Sequence, residues 1–397
     1  MSLRSGSSMR IAIDYTAGIR QGAGIGTYVR NLVSAILAQD TGNRYVLLTS
    51  GRPTPEHPFP TAPNVSGRSI FIPDRYLNIL WYRWRVPLPA TLFSGAVDIY
   101  HGPDFVLPPL SKKIRKVVTI HDLAFLEHPE YAVPALAAYL KQVVPQALAE
   151  ADVVATVSDE VSKTVIKHFQ TPTEKLTVVP NGVAPHIRRI TDPVLLGATQ
   201  HKFGLKHPLV LGVGTLEPRK NHSGLIRAFY QVQQKKHGPA MLAIAGGEGW
   251  LYEETRQLVT ELKLDKKVRF LGRVTDLELI TLYSMADVFA FPSFFEGFGI
   301  PPLEAMACGA PVITSNTSSL PEVVGDAALM VDPHDTDALA AAIMRLLTDE
   351  ALRENLRQKG YQRAAHYTWA HSAQKMLTIY QKLYQGKMHF SDEEKNA

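Results

Sequence analysis

The feature that most constrains this chain is an alternation. Short runs rich in Val and Ile are followed repeatedly by longer stretches whose apolar residues recur at helical spacing. An uninterrupted apolar run reads as a strand buried on both faces, and a helical crossover between two such strands makes them parallel. Strands are expected at 10–15, 44–49, 69–72, 97–101, 116–121, 152–158 and 175–180, with a helix over 134–149 between two of them. The pattern then restarts, with strands at 209–214, 240–246, 267–272, 286–293, 310–315 and 327–332. Helices are expected at 221–236, 251–263, 275–285, 335–348 and 350–365. The fold class is therefore α/β, with two Rossmann-like doubly wound domains facing a central cleft.

The first domain is expected over 9–190 and the second over 205–367, and a C-terminal helix within 368–390 crosses back towards the first. Residues 181–207 have weak periodicity and several turn signals, so they read as the linker. The polar tail HFSDEEKNA is expected to fray. The opening Met-Ser-Leu-Arg-Ser-Gly-Ser-Ser reads as a short leader ahead of a start near Met9, without the apolar stretch of a secretion signal.

Composition narrows the function classes. With 45% hydrophobic residues in 397, each domain can bury a core, and no segment is long and apolar enough to cross a membrane. Cys308 is the single cysteine, so an internal disulfide, a thiolate metal cluster and a Cys-x-x-Cys redox pair are excluded, and a reducing cytoplasm is expected. The net charge is +5, and the excess lies in residues 1–200, with 20 Lys/Arg against 15 Asp/Glu; the rest is balanced at 22 each. That is too thin for a nucleic-acid interface and suits either an ordinary solvated face or a meeting with anionic lipid or phosphorylated substrate.

Ligands of doubly wound sheets bind beyond the carboxyl ends of the strands, so the loops there carry the candidates. QGAGIGTYVRNL places Gly22, Gly24 and Gly26 between the first strand and the first helix. The G-x-G-x-G spacing and the absence of an acid after the second strand argue against a dinucleotide. KVVTIHDLAF puts His121 and Asp122 at a strand end, where a neutral imidazole can hydrogen-bond a substrate hydroxyl and Asp122 can fix the loop. VDIYHGPDF offers His101 in the same way. VLGVGTLEPRKN presents Arg219 and Lys220 beside a helix start, a pair suited to a diphosphate. FPSFFEGFGIPPLEAMACGAPVITS carries Glu296 in a glycine-rich turn and Glu304 about one turn into a helix started by Pro301 and Pro302. The amides of Gly297, Phe298, Gly299 and Ile300 would face an anion, Glu304 a ribose diol and Glu296 the sugar beyond.

EGFGIPPLEAMACGAPVITS resembles the E-x7-E motif of retaining glycosyltransferases of family 4, which have the GT-B fold of two Rossmann-like domains. TLEPRKN, TIHDLAF, VVPNGV and GAGIGTY extend the resemblance over both halves, and GTLEPRKN with IYHGPDFVLP looks most like bacterial mannosyltransferases that use GDP-mannose. The resemblance implies that Arg219 and Lys220 hold the donor diphosphate, that Glu304 grips the ribose, and that Glu296, with the amides of residues 297–299, binds the transferred hexose. It places His121 beside the reacting sugar and Gly24 and Gly26 near the diphosphate and acceptor. Ser318 is a further donor-side candidate, and Tyr28, His101 and Asp122 are candidates for the acceptor side.

The expected substrates are a nucleotide sugar and a saccharide or lipid-linked acceptor, with no metal and no other cofactor. Asp335-Thr336-Asp337 reads as a helix cap. A UDP-sugar donor, a nucleotide-sugar epimerase or hydrolase, and a non-catalytic nucleotide-sugar binder are the alternatives. Trp81, Tyr82, Trp84 and Phe93 with Arg75, Arg83 and Arg85 read as a core helix with its rim, or else as a face for lipid headgroups on the inner side of the plasma membrane.

Overall fold

The computed structural model describes residues 8–22, 24–84, 86–235, 240–250 and 252–386. The leader up to Ser7 and the tail HFSDEEKNA lie outside them. The chain forms two compact units, one running to Gly182 and resuming at Trp369, the other Val183–Thr368.

In the first unit seven strands pair in parallel: β1 (Arg10–Asp14), β2 (Arg44–Ser50), β3 (Val65–Ile70), β4 (Ile99–Gly102), β5 (Arg115–Ile120), β6 (Val153–Thr156) and β7 (Leu176–Val178). Their spatial order is β3-β2-β1-β4-β5-β6-β7. The inner strands are buried along nearly their whole length, which is why they carry Val and Ile without polar alternation. The edge strand β3 differs. Its sequence VSGRSI buries only Ile70, so an apolar-run criterion misplaced it at 69–72, and Phe71, expected inside the strand, is 78% exposed beyond it. The helix Trp369–Tyr384 belongs to this unit and packs on the helix Ile25–Gln39, burying Trp369, Met376, Ile379, Tyr380 and Leu383.

The second unit holds β8 (Leu209–Val213), β9 (Met241–Ala245), β10 (Val268–Gly272), β11 (Val288–Phe291), β12 (Val312–Ser315) and β13 (Ala328–Val331), in the order β10-β9-β8-β11-β12-β13. This is the 3-2-1-4-5-6 order of dinucleotide-binding sheets, whose switch point falls between the first and fourth strands, here β8 and β11. Its core joins Val210, Phe229, Leu242, Ile244, Val288 and Ile313 with the apolar faces of the flanking helices.

The stretch read as a linker is built differently from that expectation. Val183 donates its amide to Tyr367 O at 2.8 Å and forms a parallel bridge with Thr368, so the second unit starts and ends side by side. Asp192 caps a helix over Pro193–Phe203, which stops at Gly204 in a left-handed conformation. That helix buries only Thr199, and without an apolar stripe it has no periodicity to read.

Candidate functional site

In the second unit the site assembles from three loops at the carboxyl ends of β8, β11 and β12. After β8, Glu217 and Pro218 lead into a single 3₁₀ turn, Pro218–Lys220. Asn221 then takes a left-handed conformation, φ 54°, and caps the helix His222–Gln233 by accepting from the Gly224 amide at 3.1 Å. This reversal sends Arg219 and Lys220 towards the β11 loop. Arg219 donates to Glu296 Oε2 at 2.8 Å, to Phe295 O at 2.8 Å and to Glu217 Oε1 at 2.9 Å. Lys220 Nζ reaches Glu296 Oε1 at 2.6 Å, and Ser293 Oγ donates to the same oxygen at 2.7 Å.

The electrostatics follow from burial. Desolvation alone would raise the Glu296 carboxyl, but the charges of Arg219 and Lys220 outweigh it and bring its pKa down to about 2. Lys220 moves down as well, chiefly through burial and then through repulsion from Arg219, with Glu296 opposing. Two cations and the carboxylates of Glu217 and Glu296 thus occupy one half-buried cluster.

The loop beyond Glu296 ends in Gly299, φ 110°, from which the helix Ile300–Ala307 starts with two prolines in its first turn. A Cβ at Gly299 would lie 2.7 Å from the Leu320 side chain, so the loop needs glycine for space as well as for its backbone angle. Ser319 Oγ donates to the carbonyls of Glu296 and Phe298, and Ser318 Oγ accepts from the Glu296 amide. Among the described residues no acceptor meets the amides of Phe298, Gly299 and Ile300. Unpaired amides at a helix start form a seat for an anion. Glu304 lies one turn into that helix, as its spacing predicts, where Tyr283 Oη donates to its Oε2 at 3.2 Å. Burial, with Asp276 adding and the Tyr283 hydrogen bond opposing, raises its pKa to about 7.

Ser318, half-buried, holds the Glu296 loop in place through its hydroxyl. Ser293, Ser319 and Tyr283 were not singled out from the sequence. Only Ser293 carried a signal, as a small polar residue two positions after a strand and three before Glu296.

In the first unit His121 is buried. Its Nε2 lies 2.7 Å from Pro103 O, and because a carbonyl can only accept, that nitrogen carries the proton and Nδ1 keeps its lone pair. Burial lowers its pKa, so the ring is neutral, as expected for a hydroxyl acceptor. Asp122 Oδ1 accepts from the Ala124 amide at 2.9 Å and fixes the loop, the task its position suggested.

Two candidates are corrected. His101 is fully buried, with Nδ1 2.7 Å from Tyr380 Oη and Nε2 2.8 Å from Thr119 Oγ1; both nitrogens are occupied, and burial lowers its pKa to about 3. Tyr28 is buried too, its hydroxyl 3.3 Å from Thr119 Oγ1 and its ring edge-on to His121 at 4.6 Å. Neither can meet an acceptor; both are core groups behind His121. Gly24 starts the helix Ile25–Gln39 at φ 58°, and a Cβ on Gly26 would fall 1.9 Å from Gln21 O, so the loop closes tightly on itself. Asp335 caps its helix through the Ala338 amide at 2.8 Å. Trp81 and Tyr82 are buried while Trp84 is 68% exposed, so the aromatic stretch is both wall and rim; Arg85 lies outside the described residues.

Two doubly wound units with parallel sheets, one with a cation pair, a paired carboxylate and open amides at its switch point, have the architecture in which anionic ligands such as nucleotides bind at strand ends. The chain belongs to the group 1 glycosyltransferases: residues 198–363 match the model "Glycosyl transferases group 1", and residues 22–186 match "Glycosyltransferase Family 4". It is 35% identical over 285 residues to the O-antigen chain mannosyltransferase B of Escherichia coli, a match covering 72% of this chain and 74% of that protein. With the serotype-specific mannosyltransferase WbdA of Escherichia coli it shares 31% identity over 239 residues, 59% of this chain and 29% of that longer protein. Sucrose-phosphate synthase from Thermosynechococcus elongatus shares the fold with a TM-score of 0.76 at 23% identity, over 95% of this chain and 100% of that one.

Proposed function

We propose that this chain transfers mannose from GDP-mannose to a saccharide or lipid-linked acceptor in cell-surface polysaccharide synthesis, with retention at the anomeric carbon. The observation that carries the reading is the cluster of Arg219, Lys220 and Glu296 beside the open amides of Phe298–Ile300. Mannose and the polysaccharide context are supported by the 35% identity to a mannosyltransferase of O-antigen chains.

On this reading the diphosphate lies against Arg219 and Lys220 and over the open amides, Glu304 receives the ribose hydroxyls, and Glu296 receives those of the hexose. His121 accepts a hydrogen bond from a sugar hydroxyl at Nδ1 and stays neutral. The bond from the anomeric carbon to the diphosphate breaks as the bond to the acceptor oxygen forms on the same face. The departing phosphate oxygen takes the acceptor's proton, so no protein nucleophile is required. Arg219 and Lys220 stabilise the charge that develops on that oxygen, and together with the helix start they do what a metal would do. Lys220→Ala should then lower turnover more than donor affinity, and activity should withstand EDTA. Full turnover with weakened donor binding would remove Lys220 from the chemical step, and EDTA-sensitive activity restored by manganese would overturn the metal-free mechanism.

The deciding experiment is a thermal-shift titration with GDP, UDP, ADP and their sugar derivatives, without added metal and with Glu304→Ala as control. A shift confined to GDP and GDP-mannose, lost in the control, supports the proposal; a preference for UDP discards mannose and keeps the transferase.

We place the reaction in the cytoplasm, at the inner face of the plasma membrane. Phe71, Trp84 and Leu92 are 78%, 68% and 66% exposed, and Arg75 and Arg83 are exposed with them, a composition that suits anionic headgroups. Co-sedimentation with vesicles containing phosphatidylglycerol, lost on Trp84→Ser, is the expected result; equal sedimentation with neutral vesicles would remove the electrostatic part.

A further inference from the structure

We propose that His222 is a positioning residue for the transfer: by holding the Gly214 carbonyl it fixes the wall along which the Lys220 side chain runs, and so places the ammonium for the leaving phosphate. It rests on the glycosyltransferase reading of Lys220 and adds what keeps that side chain in place.

His222 opens the helix that follows the Arg219–Lys220 turn, and it is buried, only 4% exposed. Its Nε2 lies 3.2 Å from Gly214 O, the carbonyl of the first residue beyond β8. A carbonyl can only accept, so Nε2 carries the proton. Burial, with the charge of Lys220 adding and the carbonyls of Gly214 and Thr215 opposing, lowers the pKa to about 4, so the ring is a neutral donor.

The Gly214 peptide needs that donor. Its amide continues the β8–β9 ladder by donating to Ala245 O at 2.9 Å, and the Leu216 amide resumes the ladder on Gly247 O at 2.9 Å. Gly214 O, between them, meets no amide: Gly246 donates to Gly272 O at 2.9 Å instead. Among the described residues only His222 reaches that carbonyl. Gly214 has φ 147°, a conformation that glycine adopts and other residues rarely do. A backbone this free holds one orientation only if something outside it fixes the peptide.

Lys220 depends on where that peptide lies. A Cβ built on Gly214 would stand 3.3 Å from Cγ and Cδ of Lys220, so the stem passes directly over the bare Cα. A Cβ on Gly246 would fall 1.9 Å from Gly214 O, so the carbonyl is packed tightly against the loop after β9 as well. Lysine is a point charge on a flexible four-carbon stem, and the packing of the stem decides where the charge stands. Here it stands 2.6 Å from Glu296 Oε1 and 5.0 Å from the centre of the Phe291 ring.

Stability alone does not account for a histidine at this position. Nδ1 is buried with no partner among the described residues, and a buried acceptor without a partner is unfavourable. An aliphatic side chain would fill the space without leaving such an acceptor. What it could not do is donate to Gly214 O.

The test compares His222→Met with His222→Gln, side chains of similar length of which only Gln can donate. Thermal unfolding of both is set against wild type. Turnover of GDP-mannose, with UDP-glucose alongside, is read as nucleoside diphosphate released, with methyl α-mannoside as acceptor. His222→Met should lower kcat by roughly 10- to 100-fold while the donor KM changes less than about twofold, and His222→Gln should recover most of the loss. Because His222 acts through Lys220, His222→Met should take nothing further from Lys220→Ala. Wild-type kcat in His222→Met, equal losses in the two variants, or a loss that adds to that of Lys220→Ala would overturn the role. Should neither variant fold, proton–nitrogen correlation spectra of the unmodified chain labelled at histidine take their place: a His222 ring protonated at Nε2 is expected, and one protonated at Nδ1 would remove the contact. No release by wild type fells the glycosyltransferase reading and this role with it; release that His222→Met leaves intact fells this role alone.

Discussion

At the scale of single residues, the second unit's site is a balance of charges that a substitution can unbalance. Glu296→Gln leaves Arg219 and Lys220 half-buried beside each other without their shared carboxylate, which should destabilise the protein by about 3–5 kcal/mol. Urea denaturation measures this, and a loss below about 1 kcal/mol would mean that solvent already screens the pair. If the two cations seat a diphosphate, GDP should recover more stability in Glu296→Gln than in wild type. The pH dependence has a sign. Glu296 has a depressed pKa, so its contribution is complete above about 4.5 and disappears as pH falls towards about 2. Glu304 behaves in the opposite way. Its pKa is raised to about 7, so the folded state binds a proton that the unfolded state releases near 4.5, and stability falls as pH climbs through that window. Glu304→Gln should therefore unfold like wild type at pH 4 and be more stable at pH 8, by at most roughly 3 kcal/mol. Equal stability at both pH values would show that Glu304 is ionised without cost. Sequence alone exposed these carboxylates through their spacing and the prolines at the helix start. It could not expose Ser319 or Tyr283, because an isolated hydroxyl looks the same whether it is solvated or buried against a loop.

At the scale of elements, the sequence was legible wherever burial was two-sided. β8, β9, β11 and β12 are buried over nearly their whole length and lie within a residue or two of where periodicity puts them. It was illegible where burial was thin, at the edge strand β3 and the exposed helix Pro193–Phe203. Histidines at strand ends showed a different failure. His101 and His121 both close buried strands and look alike in sequence, yet one is locked at both nitrogens and the other at one. What separates them is the helix Trp369–Tyr384, some 280 residues away, which brings Tyr380 to His101. The chain from Tyr380 through His101 and Thr119 to Tyr28 has a measurable consequence. His101 stays neutral in the folded state down to about pH 3, whereas the unfolded chain takes up a proton near 6.5, so acidification between those values favours unfolding. His101→Gln should flatten that part of the stability–pH profile while lowering stability at pH 7, where its hydrogen bonds are strained or lost. An unchanged slope between pH 6.5 and 4 would mean that other buried groups, His222 among them, set it.

At the scale of the whole molecule, the order of the chain and the order of folding units do not coincide. The second unit is one continuous segment, Val183–Thr368, whose ends meet at the Val183–Thr368 bridge, while the first must recruit the helix Trp369–Tyr384 to finish its core. That helix buries Trp369, Met376, Ile379, Tyr380 and Leu383, each worth about 1.5–3 kcal/mol when fully covered if Trp and Tyr are counted with the aliphatics. Their sum reaches the 5–15 kcal/mol by which a whole domain is stable. Truncation after Thr368 should therefore unfold the first unit, exposing Tyr28, Tyr100 and His101, and leave the second unit folded because none of its core is removed. Limited proteolysis should digest the truncated chain to a resistant fragment starting near Val183. If the donor site has been assigned to the correct unit, that fragment should still show a thermal shift with a nucleoside diphosphate, abolished by Glu304→Ala. Two results would count against this division of labour. A truncated chain that keeps both units folded would mean that the helix covers a core already complete, and a folded fragment deaf to every nucleotide would mean that Arg219, Lys220 and the open amides of Phe298–Ile300 do not suffice to bind one.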